Sequence, residues 1–387
     1  MDDERNVMRP VIGLMSGTSA DGIDAAILQT DGTRFSQTNI TASFAYDVAL
    51  RTRIFDAMHD PEGFMADTAS FQTVSDAITD AHIKAVMAIL EQLPCHAKMP
   101  RLIGFHGQTI FHEPDADSQS SLGRCTIQLG SGQRLADAAN MDVVYDVRQA
   151  DMAAGGQGAP LAPIYHAALV DAMDALCPVA IINIGGVANL TYIGTGSHME
   201  IIGFDTGPGN GLMDDYMRTR FSQPFDDDGR MAAQGRSDKD FVTRVMQHGF
   251  FAKSWPKSLD RQAFANIVLN AGLDDLPPHD AMASLAALTV AGITHAVASL
   301  PEDVRQIYVA GGGRRNQTLM QQLHAVFGNR LVDDDHLQFD ADMLEAELMA
   351  YLAARHRAGL PTSFPATTGC TMPVCGGRLA QPSDQRV

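Results

Sequence analysis

Carboxylates that follow apolar, strand-like runs are the residues of this chain best suited to chemistry. Asp205 ends such a run and is followed by the glycine-rich sequence T-G-P-G-N-G. A carboxylate in this position can act as a general base. Asp146 and Asp151 are rivals by the same reasoning, and an aspartate that only bonds its own turn is at least as common. Glu345 and Glu347 lie in an otherwise apolar helix, which predicts that at least one of them faces a cleft or solvent.

Two glycine hairpins could hold phosphate groups. The first covers residues 11–28 (V-I-G-L-M-S-G-T-S-A-D-G-I-D-A-A-I-L) and the second covers residues 179–193 (V-A-I-I-N-I-G-G-V-A-N-L-T-Y-I). Each reads as a strand, a turn rich in Gly and small polar residues, and a second strand. Successive N–H groups in such turns form anion-binding concavities. Matching hairpins 170 residues apart (181 minus 11) indicate a duplicated fold and favour a nucleotide-dependent phosphotransferase.

Further candidates lie at the ends of other predicted strands. Gly311–Gly313 follow the strand 307–310, and Asn316 is predicted to cap the next helix. His106 and Gln108 follow a short predicted strand at 102–105, a usual place for ligand contacts in α/β sheets. A buried core histidine explains His106 equally well. Residues 204–211 and 151–159 are interpreted as loops, and long helices are predicted at 66–93 and 281–300.

Composition limits the class of protein. The chain has 387 residues, which favours two domains, and 45% of them are hydrophobic. The net charge of −18 argues against nucleic acid or an anionic membrane as the main partner. A signal peptide and a membrane-spanning run are not evident in the sequence, so we expect no membrane association. The scattered cysteines form no zinc pattern and favour a cytoplasmic location (Cys95, Cys125, Cys177, Cys370 and Cys375).

The predicted domain boundary follows from the glycine-rich loop near residue 151. Residues 1–146 are expected to form an N-terminal domain with the first phosphate loop. Residues 147–359 are expected to form a C-terminal domain with the second phosphate loop and a loop for adenosine. The alternative that the tail, about 360–387, packs back on the first domain stays open.

Six segments, in this order, resemble the anhydro-N-acetylmuramic acid kinase family. They are G-L-M-S-G-T-S-A-D-G-I-D (13–24), G-F-H-G-Q-T-I-F-H-E-P (104–114), D-M-A-A-G-G-Q-G-A-P-L (151–161), N-I-G-G-V-A-N-L (183–190), F-D-T-G-P-G-N-G-L-M-D (204–214) and V-A-G-G-G-R-R-N (309–316). The resemblance implies an α/β protein with two RNase H-like domains, of the actin and sugar-kinase type, around a central cleft. It implies that ATP and water convert 1,6-anhydro-N-acetylmuramic acid into N-acetylmuramic acid 6-phosphate during peptidoglycan recycling.

The resemblance also implies roles for individual residues. Asp205 corresponds to the catalytic base and Glu345 to a second carboxylate that holds water and sugar. ATP would be bound by Gly17, Thr18, Ser19, Ala20, Asp21, Gly22, Ile23, Asp24, Asn183, Gly185, Gly186, Gly207, Gly209, Asn210, Gly311, Gly312, Gly313 and Asn316. The sugar would be bound by His106, Gln108, Arg148 and Asp151. Mg²⁺ is expected with ATP, its protein ligands are left unassigned, and a homodimer is one open assembly.

Departures from the family pattern keep two alternatives open. Where a common family form reads D-F-R-R-R-D, this chain has D-V-R-Q-A-D at 146–151, so Gln149 and Ala150 replace two arginines. Gln262 also departs from the family form. One alternative is therefore a kinase of the same fold that acts on a different sugar. The other is a non-enzymatic, ATP-dependent switch, which would turn over ATP slowly and independently of any sugar.

Overall fold

The computed structural model describes residues 7–114, 121–195, 200–259, 261–333 and 336–383, without the side chains of 261–263. Its contacts divide the chain into two compact units. The first unit contains the chain up to Ala168 together with the segment from Met343 onward, and the second unit is Leu169–Asp342. Each unit has its own sheet and its own helices, which confirms the predicted α/β class with two domains.

The secondary structure of the described residues is as follows. The strands are β1 (Arg9–Ser16), β2 (Gly22–Thr30), β3 (Phe35–Ala45), β4 (Leu102–Glu113), β5 (Cys125–Leu129), β6 (Asp142–Tyr145), β7 (Val179–Ile184), β8 (Val187–Ile193), β9 (Ile201–Pro208), β10 (Gln306–Ala310) and β11 (Arg378–Ala380). The helices are α1 (Val48–His59), α2 (Pro61–Ala66), α3 (Thr68–Leu90), α4 (Gly132–Ala139), α5 (Gln149–Ala153), α6 (Pro163–Ala172), α7 (Gly211–Phe221), α8 (Arg230–Gln234), α9 (Lys239–Met246), α10 (Gly249–Ala252), α11 (Arg261–Asn270), α12 (Pro278–Ala298), α13 (Gln317–Phe327), α14 (Leu344–Ala358) and α15 (Pro365–Thr368).

The two sheets repeat one topology. In the first unit the order is β11-β6-β4-β1-β2-β3, with β5 paired to β4. In the second unit the order is β10-β7-β8-β9. In each unit a three-strand antiparallel meander is followed by a later strand that pairs in parallel with its first strand, β4 with β1 and β10 with β7. This shared order confirms the duplication predicted from the two hairpins, and it is the order of RNase H-like sheets.

Helix α14 lies directly on the first sheet. A Cβ atom at Gly13 would stand 1.8 Å from the carbonyl oxygen of Ala346, and one at Gly104 would stand 1.9 Å from that of Met349. Only glycine at these two positions lets the helix backbone approach the strands so closely. Because α14 packs on β1, β2 and β4, the contacts assign the helix to the first unit.

The contact-based division differs from the predicted boundaries at 146/147 and 359/360. The second unit begins at Leu169 and ends at Asp342. Residues 147–168 and 343–359 were expected in the second domain, but hydrogen bonds around α5 and the packing of α14 hold them in the first unit. The tail contributes β11, in which Arg378 pairs with Tyr145 of β6.

Several predicted elements have different limits in the structure. The strand predicted at 102–105 continues to Glu113, because a bulge at 106–107 absorbs the glycine without ending the strand. Likewise, most of the loop predicted at 204–211 is strand β9, and the loop predicted from 151 begins inside helix α5. The predicted helices at 66–93 and 281–300 are confirmed as α3 and α12.

Helix α12 is the central helix of the second unit. By length and hydropathy alone it could cross a membrane, with a mean hydropathy of 1.6 over its most apolar window. However, 67% of that window is buried inside the protein, against α8, α9 and β9. A buried core helix passes the same test, so its apolar sequence is explained by packing in the core.

Candidate active site

A bulge in β9 directs Asp205. Asn189 pairs with Asp205 and Ala188 pairs with Gly207, which leaves Thr206 as the extra residue. Bulges of this kind often lie next to active sites, where they redirect a side chain. The Asp205 N–H donates to the carbonyl oxygen of Lys257 at 2.9 Å. The Leu259 N–H donates to Asp205 Oδ2 at 2.7 Å. The segment 257–259 therefore holds both the backbone and the carboxylate of Asp205.

The electrostatic environment gives Asp205 the properties of a general base. Burial raises the pKa of Asp205 from 3.8 to about 7, and the Leu259 N–H and the Lys257 charge oppose this rise. A general base is most effective when its pKa lies near the working pH. Asp205 is thus suited to accept a proton in neutral solution.

Lys257 is a neighbour of Asp205 that sequence reasoning missed as a site residue. Its side chain is buried, and its Nζ donates to the carbonyl oxygen of Phe250 at 3.2 Å. Burial lowers the pKa of Lys257, while Asp205 raises it. Lys257 and Asp205 are far apart in the chain, so only the fold reveals that they are neighbours.

The second hairpin contacts the loop that precedes α7. The Asn210 N–H donates to the carbonyl oxygen of Gly185 at 2.7 Å, and the Gly209 and Gly211 N–H groups both donate to that of Gly186 at 3.1 Å. A Cβ atom at Gly311 would stand 2.3 Å from Asn183 Oδ1. The second unit therefore brings together these candidate ATP residues: Asn183, Gly185, Gly186, Gly209, Asn210, Gly311, Gly312 and Gly313.

The candidate glycines divide into two kinds. At Gly17, Gly185 and Gly312 an added Cβ atom would stand 3.7, 3.5 and 3.8 Å from the nearest other residue, so the described residues leave space beside these glycines. Other candidate glycines are required by packing or backbone shape instead. A Cβ at Gly22, Gly209 or Gly313 would clash at 2.2–2.3 Å, and Gly207 has a φ of +150° beside Phe251. The open positions fit a bound nucleotide.

Asn316 is a helix cap. Its Oδ1 accepts from the Leu319 N–H at 3.1 Å at the start of α13, as the sequence predicts. Its carboxamide oxygen is therefore already used within the protein. Its predicted contact with ATP stays a prediction.

The turn of the first hairpin exposes its polar side chains. The Ala20 N–H donates to the Gly17 carbonyl oxygen at 3.1 Å, and Ala20 has a φ of +49°. Thr18, Ser19 and Asp21 are exposed, and the Ser19 hydroxyl donates to Asp21 at 2.8 Å. In contrast, Ile23 is buried in the core, and Asp24 accepts from the Ser43 hydroxyl at 2.5 Å. The exposed hydroxyls and Gly17 are the parts of this turn available to a ligand.

Gln108 supports the first hairpin turn. Its Nε2 donates to the Gly17 carbonyl oxygen at 2.9 Å, and the Ser16 hydroxyl donates to the Gly107 carbonyl oxygen at 3.0 Å. The Gln108 Oε1 is buried without a hydrogen-bond partner among the described residues. Gln108 thus holds the turn, and its free oxygen is a candidate acceptor for a ligand.

His106 is a neutral acceptor for Arg148. His106 Nδ1 bonds the Gly107 carbonyl oxygen at 2.7 Å, which requires the proton on Nδ1. The Nε2 then accepts from Arg148 Nε at 3.2 Å and Nη2 at 3.0 Å. Burial, followed by the Arg148 charge, lowers the pKa of His106 to about 3. His106 therefore orients Arg148 and is not a free base.

Asp151 anchors the loop that contacts Arg148. Its Oδ2 accepts from the Gly158 N–H at 2.7 Å, and its Oδ1 accepts from the hydroxyls of Ser363 at 2.5 Å and Thr368 at 2.6 Å. Arg148 Nη1 in turn donates to the Gly158 carbonyl oxygen at 2.8 Å. Both oxygens of the buried Asp151 are occupied, which argues against this rival for the base.

Glu345 lies in the first turn of α14 and interacts electrostatically with Arg148. Glu345 is accessible to solvent, but the surrounding protein still removes enough water to raise the pKa of its carboxyl. The Arg148 charge opposes that rise and Asp24 adds to it. The first unit therefore brings together His106, Arg148, Asp151 and Glu345.

Asp146, the other candidate for the general base, lines a cavity of the first unit. The cavity has a volume of about 240 Å³ and is also lined by His106, Tyr145 and Gln149. Burial raises the pKa of Asp146, and Arg378 lies 3.9 Å away. Asp146 thus belongs to a recess beside His106.

Carboxylate oxygens are the protein ligands that Mg²⁺ would use. Among the described residues, no group of three or more His, Cys, Asp or Glu side chains could hold a metal ion. Mg²⁺ usually keeps several waters and is bound through substrate phosphates with one or two carboxylates. An ion that arrives with a nucleotide does not need such a group.

Comparisons with known proteins agree along nearly the whole chain. The family model for anhydro-N-acetylmuramic acid kinase matches residues 9–381. Three relatives carry that name. The protein from Azorhizobium caulinodans is 44% identical over 376 residues, which cover 96% of this chain and 99% of the relative. The one from Acidiphilium cryptum is 42% identical, with 96% and 98% covered. The one from Rhodopseudomonas palustris strain CGA009 is 42% identical, with 97% and 100% covered.

The duplicated α/β fold and its glycine turns, together with these matches, define a sugar kinase, a phosphotransferase whose class implies the use of ATP. The chain belongs to the anhydro-N-acetylmuramic acid kinase family.

Proposed function

We propose that this protein uses ATP and water to convert 1,6-anhydro-N-acetylmuramic acid into N-acetylmuramic acid 6-phosphate, in peptidoglycan recycling. The proposal rests on family membership along the whole chain and on one observation of the structure. That observation is the placement of the Asp205 carboxylate, which accepts from the Leu259 N–H and whose burial raises its pKa to about 7.

Asp205 supplies the general base in this proposal. It accepts a proton from a water molecule, and the water oxygen forms a bond to C1 of the sugar. The bond between C1 and O6 of the anhydro bridge breaks. O6 then takes the γ-phosphoryl group of ATP, ADP leaves, and Asp205 releases its proton to solvent. A base that is ionised near neutral pH and fixed by two backbone contacts suits the first step.

Glu345 and Arg148 orient the sugar and the water in this proposal. Arg148 is fixed by His106 and Gly158, so its charge is held in place before substrate arrives. A guanidinium presents five N–H donors, of which the contacts to His106 and Gly158 use three. The remaining donors suit an oxygen-rich or anionic substrate group. Preorganisation of this kind lowers the cost of orienting a reactant.

Gly17, Gly185 and Gly312, beside which an added Cβ would meet no described protein atom closer than 3.5 Å, are proposed to contact ATP. Mg²⁺, when bound to the phosphates, neutralises charge that develops on them during transfer. In a chain with a net charge of −18, backbone N–H groups and a few local cations must favour the bound phosphates.

A different sugar is the second candidate, because of Gln149. Its Nε2 donates to the Thr126 carbonyl oxygen at 2.8 Å, and the residue lines the cavity beside His106. A neutral amide thus occupies a position where the family pattern has arginine. A panel of amino sugars and neutral sugars, each tested with ATP, separates the two candidates.

The deciding experiment measures ATP consumption with and without 1,6-anhydro-N-acetylmuramic acid and identifies the product by mass. We expect slow hydrolysis without sugar and stoichiometric ADP with the sugar phosphate as product. Faster turnover with another sugar would favour the second candidate. Hydrolysis that no sugar accelerates would favour an ATP-dependent switch.

A further inference from the structure

Lys257 carries a buried positive charge that has no role in the proposed mechanism. Its side chain is 7% exposed and lies 4.7 Å, measured from Nζ, from the ring centre of Phe250. Its Nζ donates to the carbonyl oxygens of Phe250 at 3.2 Å and Phe251 at 3.5 Å. In the part of the chain that the structure describes, no carboxylate forms an ion pair with it.

This burial is costly if the role of Lys257 is only to fill space. A charge removed from water loses its hydration, and an apolar side chain of similar volume is often neutral or stabilising in such a position. Met would extend to a similar length among Phe204, Phe250 and Phe251. The ammonium group therefore needs another explanation than packing.

The backbone of the same segment brings Lys257 beside Asp205. The carbonyl oxygen of Lys257 accepts from the Asp205 N–H at 2.9 Å, and the Leu259 N–H donates to Asp205 Oδ2 at 2.7 Å. Lys257 is thus adjacent to Asp205 in space, and it is the one titratable group that acts on Asp205 among the described residues. Lys253, which is exposed, acts on Lys257 and not on Asp205.

We infer that Lys257 is a positioning residue for Asp205: its carbonyl oxygen holds the Asp205 backbone, and its buried ammonium group favours the anionic form of the carboxylate. Its relevance to catalysis rests on the proposed function, in which Asp205 is the base. Without the ammonium, only the Leu259 N–H opposes the effect of burial, and Asp205 takes up its proton at higher pH.

The titration of Asp205 is measured through the pH dependence of protein stability, without any activity assay. Thermal unfolding is measured from pH 5 to pH 9 for the wild type and for Asp205→Asn, and the difference between the two curves gives the midpoint for Asp205. The same pair is measured with Lys257→Met, which removes the charge, and with Lys257→Arg, which keeps it. Lys253→Met is the matched control, because it removes a nearby exposed charge.

Lys257→Met is expected to move the midpoint to higher pH by about one pH unit, the usual effect of losing a nearby opposite charge. Lys257→Arg and Lys253→Met are expected to leave it within a few tenths of a unit. A folded Lys257→Met variant with an unchanged midpoint would overturn the inference and leave Lys257 a structural residue.

Two further outcomes distinguish the effect of Lys257 on Asp205 from the role of Asp205 as the catalytic base. If Lys257→Met does not fold, the double variant with Asp205→Asn is expected to fold, because it lacks the uncompensated carboxylate. Failure of the double variant as well would overturn the inference. If Asp205→Asn retains full kinase activity, the assignment of the base is wrong, while the effect of Lys257 on the Asp205 titration is still measured.

Discussion

Replacing Asp205 by Asn is the most informative perturbation of this protein. The amide oxygen of Asn can still accept the Leu259 N–H that Asp205 Oδ2 accepts at 2.7 Å, so the local geometry is retained. The amide cannot take a proton. Loss of a positioned general base typically lowers the rate by about 10²–10⁴-fold. We therefore expect kcat to fall by that factor while the KM for ATP changes little.

The pH dependence of the wild type follows from the same environment. Burial raises the pKa of Asp205 to about 7, and the base must be unprotonated to act. The value of kcat/KM is therefore expected to rise with pH through about 7 and then level off. A profile that is flat between pH 5.5 and 8 would contradict this assignment.

The stability of the folded protein depends on the protonation of Asp205. The folded protein binds the Asp205 proton more tightly than the unfolded chain, so stability decreases as pH rises from 3.8 to about 7. This increase of the pKa corresponds to at most about 4 kcal/mol of penalty on the ionised form. Asp205→Asn removes the penalty.

Asp205→Asn is accordingly expected to unfold at a higher temperature than the wild type at pH 8, and with a smaller gain at pH 5. The assay is thermal unfolding followed by circular dichroism at both pH values, alongside kcat on the same preparations. Near-wild-type kcat in the folded variant would refute the role of Asp205 as the base. An unfolding temperature of the variant below that of the wild type at pH 8 would refute the claim that burial destabilises the ionised carboxylate.

Two other substitutions test the remaining candidates. Gly17→Val places a side chain in the open space beside the first turn, so the KM for ATP is expected to rise about tenfold or more, a loss of roughly 1.4 kcal/mol or more. The control is Gly249→Val, at a position where no described atom lies within 4 Å of an added Cβ, and it should leave that KM unchanged. Equal KM values for the two variants would make the turn a structural hairpin. Asp151→Ala leaves the Gly158 N–H without its partner and is expected to lower the free energy of unfolding by about 1–3 kcal/mol in urea titrations. By contrast, Asp151→Asn should retain at least tenfold more kcat than Asp205→Asn, and the reverse order would make Asp151 the base.

Local sequence signals predicted the parts of the fold that depend on local physics. The two hairpins were recognisable because apolar alternation and glycine turns are encoded within a few residues, and they are β1–β2 and β7–β8. Asn316 was predicted as a cap because its side chain bonds a nearby N–H group. The long helices followed from apolar periodicity, although their ends differ by several residues.

Features that depend on distant packing were not predictable from the sequence. Nothing near Lys257 reveals that it is a neighbour of Asp205, and nothing near Asp151 reveals that Ser363 and Thr368 bond it. Helix α14 belongs to the first unit because glycines at 13 and 104 admit its backbone, a reason that is visible only in three dimensions. Likewise, His106 was expected after a strand but lies within β4, because the bulge continues the pairing.

The origin of the oxygen at C1 of the product tests the proposed reaction most directly. The reaction is run with ATP and 1,6-anhydro-N-acetylmuramic acid in H₂¹⁸O for a single turnover, and the product is analysed at once by mass spectrometry with fragmentation. Attack of water on C1 predicts one ¹⁸O at C1 and none in the phosphate group, because O6 already belongs to the sugar. Label in the phosphate of the sugar product, or product without label at C1, would contradict the proposed mechanism.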